Sequence, residues 1–313
     1  MIPTLFRIPR IDLWLFEIPS FPVGSYAAMM TCGFLAGWWF LRQGYTRRGY
    51  PLRLATDLVI VAALTGLIGA RLLSVAENWD IFIQNPVGVL LGSGGLTWYG
   101  GVMLAVPACI YLTWRDGLSP LKVFDCTAPG MSVGYAFGRL GCHLSGDGCY
   151  GMPTELPWGM AYPRGAVPVY EPVHPTPIYE AIFAFGVAAF LGWRDTDRRM
   201  KPGTLVAMFF LLHGGSRLVV EFIRINDRYW FGPGGIVTIK WEDYLAGSFG
   251  LSLSQWVSVA TIAIGAYWLW RLRRAPEPEV DDAADGVDEP ATVDEPATAD
   301  DAGADATPAA DDA

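Results

Sequence analysis

The densest group of reactive side chains lies in residues 138–151, GRLGCHLSGDGCYG, where Arg139, Cys142, His143, Asp147 and Cys149 are set among five glycines between two apolar regions. Glycine lets the backbone turn sharply and approach a ligand closely. A charge such as Arg139 at the end of an apolar run is costly unless something pairs with it. The combination predicts a site that grips an anion at a membrane surface. A second group falls on the run LVAMFFLLHGGSRLVVEFIR, residues 205–224. At ~100° per residue, His213, Arg217, Glu221 and Arg224 fall within about 80° of one another on a helix. A charge costs at least ~2.5 kcal/mol at the centre of a spanning helix, so this stripe predicts a polar cavity that binds an anion. The alternative is an Arg217–Glu221 pair that only orients helices, with Arg224 snorkelling to the interface.

Smaller signals accompany these. Arg71 stands near the outer end of an apolar run, where snorkelling and binding are both open readings. His174 stands between prolines in EPVHPTPIYE, residues 171–180, as a structural cap or as a site residue. Cys142, His143, Asp147, Cys149 and His174 can be read as a metal set, but their spacing fits no zinc pattern. A Cys142–Cys149 disulfide is a further alternative on an oxidising side.

Composition defines the elements that must position these groups. The chain has 313 residues, 52% hydrophobic and only 17% charged, against about 25% charged in ordinary soluble domains. Its net charge of −9 is unevenly spread: residues 275–313 hold 14 of the 31 acidic residues and no Lys or Arg, which leaves 22 basic against 17 acidic, or +5, in residues 1–274. The tail repeats DEPAT and has no aromatic residue, so it predicts a disordered acidic segment. Residues 1–21 are Pro-broken and amphipathic and predict an interfacial lead-in. They lack a cationic-then-apolar signal with a cleavage site, so the first apolar run is expected to direct insertion.

Seven apolar runs, near 22–41, 55–74, 97–114, 123–141, 176–193, 203–223 and 255–271, predict an all-α polytopic membrane domain over 22–274 with about seven transmembrane helices. Several are weakened by Gly or by charge, as in helices packed around a cavity. Loops 75–96, 142–175 and 224–254 fall on one side. Thirteen Lys and Arg lie on the opposite side and six on the loop side. The positive-inside rule then places the N-terminus outside, the acidic tail in the cytoplasm and residues 138–151 at the outer face. Cys32, Cys109 and Cys126 fall in apolar runs and read as packing residues.

In order along the chain, these motifs resemble the prolipoprotein diacylglyceryl transferase family, over nearly all of 22–272. Tyr26 opens the first span. GARL (69–72) matches the family's Gly-x-Arg-[Leu/Ile], and GGLTWYGG (94–101) its Gly-Gly-x-x-[Phe/Tyr]-His-Gly-Gly. Asp125 precedes the fourth span. GRLGCHLSGDGCYG is similar to the family's Gly-Arg-x-Gly-Asn-x-x-Asn-Gly-Glu core, with one residue inserted before Gly151. HPTPIYE (174–180) resembles His-Pro-[Ser/Thr]-Gln-[Leu/Ile]-Tyr-Glu, and RLVVEFIR (217–224) resembles Arg-x-x-x-Glu-Phe-x-Arg. The chain departs from the pattern at Tyr99 for His, Cys142 and Ser145 for Asn, Asp147 for Glu, Pro177 for Gln and His213 for Tyr.

The resemblance implies a multi-pass enzyme of the bacterial inner membrane with its site toward the outer leaflet. It implies transfer of diacylglycerol from phosphatidylglycerol to the lipobox cysteine of a prolipoprotein signal peptide, releasing glycerol phosphate. Such chemistry needs cations for the departing phosphate and help in ionising a thiol whose ordinary pKa is near 8.5. Arg139 and Arg217 suit the first need. Tyr99, His143 and His213 are the open choices for the second, with His143 preferred. Tyr26, Arg71, Gly100, Gly101, Gly141, Cys142, Asp147, His174, His213 and Glu221 are expected to line the substrate, with Glu221 holding Arg217. No metal, cofactor or nucleic acid is implied, and there is no P-loop or dinucleotide fingerprint. Two other readings stay open: a relative with changed lipid chemistry or anionic-lipid binding only, and a transporter. No second copy of the GRLG or RLVVEFIR motif is present to support the transporter.

Overall fold

The computed structural model describes residues 3–8, 11–13, 16–18, 21–91, 97–197, 200–225, 228–232, 235–239 and 250–275. The predicted acidic tail, and residues 92–96 and 240–249 of two predicted loops, lie outside the described residues. Among the described residues seven long helices dominate: α1 (Ser25–Arg48), α2 (Leu52–Glu77), α5 (Trp98–Arg115), α6 (Pro120–Ser145), α7 (Thr176–Arg194), α8 (Thr204–Val220) and α9 (Leu253–Arg274). Between α2 and α5 lie two six-residue helices, α3 (Trp79–Gln84) and α4 (Pro86–Leu91).

Among the described residues, α2 and α7 are long and apolar enough to cross a membrane on composition, and α8 is a shorter apolar helix. The other long helices are diluted by glycine and polar groups, as in α6 with Asp125, Ser132 and Arg139.

The all-α expectation needs correction, because strand pairs fill the segments between and before the helices. Near the N-terminus β1 (Thr4–Ile8) pairs with β4 (Phe21–Gly24), enclosing the pair β2 (Ile11–Leu13) and β3 (Phe16–Ile18). Between α6 and α7, β5 (Met160–Tyr162) pairs with β6 (Val169–Val173). Beyond α8, β7 (Arg228–Gly232) pairs with β8 (Gly235–Ile239). All four pairs are antiparallel.

Close helix packing depends on small residues. A Cβ placed on Gly100 of α5 would come within 2.3 Å of the Gly69 carbonyl oxygen on α2, and the reverse substitution meets the Gly100 oxygen at the same 2.3 Å. Only glycine allows two backbones to approach this closely. Gly33 and Gly37 of α1 face Gly134 and Gly130 of α6 less tightly, with a Cβ on Gly37 meeting the Gly130 oxygen at 3.3 Å and one on Gly130 meeting the Gly37 oxygen at 2.8 Å. The N-cap of α8 is Gly203, which has no side chain to cap the helix. The cap comes instead from Asp125 on α6, whose carboxylate accepts from Gly203 N–H at 2.6 Å and Val206 N–H at 3.0 Å. Asp195, buried at the end of α7, pairs with Arg47 and, at 2.7 Å, with Arg48 at the end of α1.

Candidate active site

On α6, Ser132, Tyr135, Arg139 and Cys142 follow one another at intervals of three and four residues, so they share a face. That face meets Glu180 in the second turn of α7 and the His213–Arg217 stretch of α8. Glu180 is 1% exposed. Its Oε1 accepts hydrogen bonds from the Tyr135 hydroxyl at 2.6 Å and from Arg217 Nη1 at 3.0 Å. Its Oε2 lies 3.4 Å from Arg139 Nε. The Tyr135 ring also stacks under the Arg139 guanidinium, 4.8 Å from ring centroid to Cζ. One buried carboxylate therefore draws two guanidinium groups from different helices to a single point. Glu180 and Glu221 formally balance the two positive charges, and the guanidinium N–H groups that they do not engage are the donors available to an anion.

Arg217 is held from a second side. Its Nη2 lies 2.9 Å from Glu221 Oε2 and 3.2 Å from Ser254 Oγ. Glu221 Oε1 in turn accepts from Ser252 Oγ at 2.8 Å, and Ser252 caps α9 through a capping box with Gln255. The end of α9 thereby fixes the orientation of Arg217. His213 bonds to Ser132 Oγ at 2.9 Å and stands edge-on to Tyr135.

Of the helical stripe expected for His213, Arg217, Glu221 and Arg224, the first two stand on α8, Glu221 is its C-cap and Arg224 lies beyond it. Helix α8 stops at Val220. The Ile223 carbonyl accepts from Met152 N–H, and Arg224 bridges Gly151 in an antiparallel contact. A Cβ on Gly151 would meet that Ile223 oxygen at 2.6 Å, which explains the glycine at the end of the core motif.

The core motif is itself split by the structure. Cys142 and His143 stand in the last turns of α6, which runs to Ser145, rather than in a loop. The chain then turns through Gly146 and Gly148, at φ +62° and +90°. Asp147 Oδ1 accepts from Cys149 N–H at 3.2 Å across this turn. The ligand atoms of Cys142, Asp147 and Cys149 all lie within 4.8 Å of one another. His143 and His174 do not join them. His143 Nδ1 bonds to the Tyr162 hydroxyl at 3.0 Å, and His174 Nδ1 to the Tyr179 hydroxyl at 3.3 Å. Tyr162 is fully buried and stacked on Tyr150. Burial, reinforced by the Tyr150 hydroxyl, pushes its phenol well up, so it remains a neutral hydrogen-bonding group.

A model of the prolipoprotein diacylglyceryl transferase family matches residues 14–271. The chain belongs to the prolipoprotein diacylglyceryl transferase family. It is 30% identical to the phosphatidylglycerol–prolipoprotein diacylglyceryl transferase of Leptospira interrogans, over 87% of this chain and 96% of that protein. The enzyme of the same name from Clostridium tetani is 30% identical over 81% of this chain and 94% of its own length. That from Rhodospirillum rubrum is 34% identical over 70% and 82%.

Within this prolipoprotein diacylglyceryl transferase scaffold, the other expected site residues fall in different places. Tyr26, at the start of α1, lies against Gly141, where a Cβ would meet its ring at 3.0 Å. Arg71 donates to the Val89 carbonyl at 3.0 Å, tying α2 to α4. Tyr99 is 42% exposed in the first turn of α5, edge-on to Trp98. Gly100 and Gly101 line the seam of α5 against α2. On the α1, α2 and α5 side of α6 lies an apolar cavity of about 350 Å³, walled by Met30, Phe34, Leu58, Val106 and Met131 among others. The sequence reading missed Glu180, Tyr135 and Ser254. Glu180 was signalled by its type: a carboxylate early in the apolar helix that closes the HPTPIYE motif must find cations. Tyr135 and Ser254 carry no such signal.

Proposed function

We propose that this chain transfers the diacylglyceryl group of phosphatidylglycerol to the lipobox cysteine of a prolipoprotein. The substrate thiolate attacks the glycerol carbon that bears the phosphate. A carbon–sulfur bond forms, the carbon–oxygen bond breaks, and glycerol phosphate departs with the bonding electron pair. The observation that carries the reading is the convergence of Arg139 and Arg217 on buried Glu180. It supplies a fixed cationic pair for the departing phosphate without reorganisation at the moment of reaction. Tyr135 from below and Ser254 from the side hold the two guanidinium groups in place.

The thiol proton goes to His143 in this reading. With Nδ1–H donated to the Tyr162 oxygen, Nε2 is the basic nitrogen. The apolar cavity on the other face of α6 suits hydrocarbon chains. The seven long helices serve as seven spans, with the N-terminus outside, the acidic tail cytoplasmic and the Arg139 site toward the outer leaflet of the bacterial inner membrane. The Lys and Arg bias of alternate loops supports this orientation.

The test is an assay in vesicles with labelled phosphatidylglycerol and a lipobox peptide. Thioether-linked diacylglycerol on the peptide is the expected product. Binding of phosphatidylglycerol with no product would mark a relative that only binds lipid, and uptake of solute with no product would mark a transporter.

A further inference from the structure

The turn between α6 and the Gly151–Arg224 bridge carries two thiols that the transfer reaction does not use. Cys142 is buried in the last turns of α6 and Cys149 is half-buried beyond the turn. Their sulfurs lie within 4.8 Å of each other. The Gly146 and Gly148 left-handed conformations fold the intervening residues back on themselves, and Cys149 is pinned by its carbonyl accepting from Thr176 Oγ1. The other three cysteines stand elsewhere: Cys32 on α1, Cys109 on α5 and Cys126 four turns earlier on α6. We propose that Cys142 and Cys149 are a redox pair that closes to a disulfide across the 143–148 turn, and that closure strengthens the anion grip of Arg139.

The charged surroundings favour thiol exchange. The neighbouring Cys142 thiol outweighs burial and pulls the Cys149 thiol down, with the Arg224 and Arg139 guanidinium groups adding to it and Asp147 opposing. A thiolate is the attacking species in exchange. Cys149 attacks one sulfur of a disulfide donor, forming a mixed disulfide and expelling the donor's first thiolate. Cys142 then attacks the Cys149 sulfur and expels the second. Two enzyme thiols lose their hydrogens, two donor thiols gain them, and one disulfide replaces another. Cys142 follows Arg139 by one turn on the same face of α6, and Arg224 bridges Gly151 just beyond Cys149, so in the reduced chain a Cys149 thiolate competes with an incoming phosphate for these two guanidinium groups. The disulfide carries no charge, so the competitor disappears. The same two guanidinium groups disfavour a divalent cation between the sulfurs.

The effect on the anion rests on the transferase reading above, whereas the bond itself does not, so the experiment separates them. The full chain in vesicles is treated with dithiothreitol or with oxidised glutathione, alkylated, digested and weighed. After oxidation, the expected result is one internally bridged peptide containing Cys142 and Cys149, unalkylated and lighter by two hydrogens, with Cys109 and Cys126 unchanged. The oxidised chain is expected to show a lower KM for phosphatidylglycerol at pH 8, a response that the C142S/C149S double variant lacks. Persistence of both thiols after oxidation would overturn the pairing. So would protection of both by zinc alone, reversed by a chelator, which would make the cluster a metal site. A disulfide that forms with KM unmoved would overturn the effect on Arg139. If the chain transfers no lipid at all, the peptide map still decides the pair.

Discussion

Arg217 Nη1 lies 3.0 Å from Glu180 Oε1, a contact that joins α8 to α7 through a carboxylate that also faces Arg139. Substitution of Glu180 by Gln leaves two guanidinium groups facing a neutral amide. Breaking a buried ion pair in this way costs about 3–5 kcal/mol. Glu180→Gln is expected to lower the melting temperature in detergent and to reduce turnover. Arg139→Gln and Arg217→Gln, which each leave Glu180 one partner, are expected to keep more stability and to lose about 10²–10³ in kcat, as removal of one transition-state donor does. Comparable turnover in Arg139→Gln and the unaltered chain would exclude Arg139 from the site.

Gly100 separates packing from binding. Gly100→Ala must displace the Gly69 carbonyl, which a Cβ would approach to 2.3 Å. Overpacking of this kind costs about 1–3 kcal/mol. The expected outcome is a lower melting temperature with activity per folded molecule largely kept. A loss of activity at unchanged stability would instead put Gly100 against the substrate.

The seven long helices among the described residues fall on the seven apolar runs of the sequence, because apolar periodicity marks a helix even when glycine interrupts it, although only α2 and α7 are long and apolar enough to span a membrane on composition. Their ends were less legible. Helix α6 runs on through Cys142 and His143 because Gly146 supplies the left-handed stop only after Ser145. The stripe on α8 was legible as far as Arg217. Its end at Val220 was not, because the Ile223 carbonyl is claimed by Met152, a partner remote in sequence. Arg139 and Arg217 were visible as charges in apolar surroundings, and Glu180 carries the same signal. What links the three is tertiary: only the packing of α6 against α7 and α8 shows that the two arginines share a carboxylate. Asp125 is similar. It stands near the start of its own helix in sequence, yet it caps another.

Asp125→Asn keeps the shape of the α8 cap and removes its charge. Loss of a helix cap costs about 0.5–2 kcal/mol, and the amide can still accept only through one oxygen, leaving Gly203 or Val206 N–H without its partner. Thermal unfolding in detergent is expected to show a modest loss for Asn and a larger one for Ala. Lipid transfer by the folded fraction should be little changed, because α8 positions Arg217 from its far end.

The choice of base is decided by pH. If His143 accepts the thiol proton, His143→Gln loses about 10²-fold or more in kcat near neutrality, the usual scale for a general base. Part of that loss is expected to return as pH rises from 7 to 9, because a free thiol with pKa near 8.5 ionises there without help. His213→Gln and Tyr99→Phe should retain the pH profile of the unaltered chain, since His213 is engaged with Ser132 and Tyr99 stands at the start of α5, whose glycines pack against α2. Rates for the three variants with one lipobox peptide, measured across that range, make the comparison. Recovery at high pH in His213→Gln or Tyr99→Phe instead would move the base to that residue, and would leave the His143–Tyr162 contact as a tie between α6 and the β5–β6 hairpin.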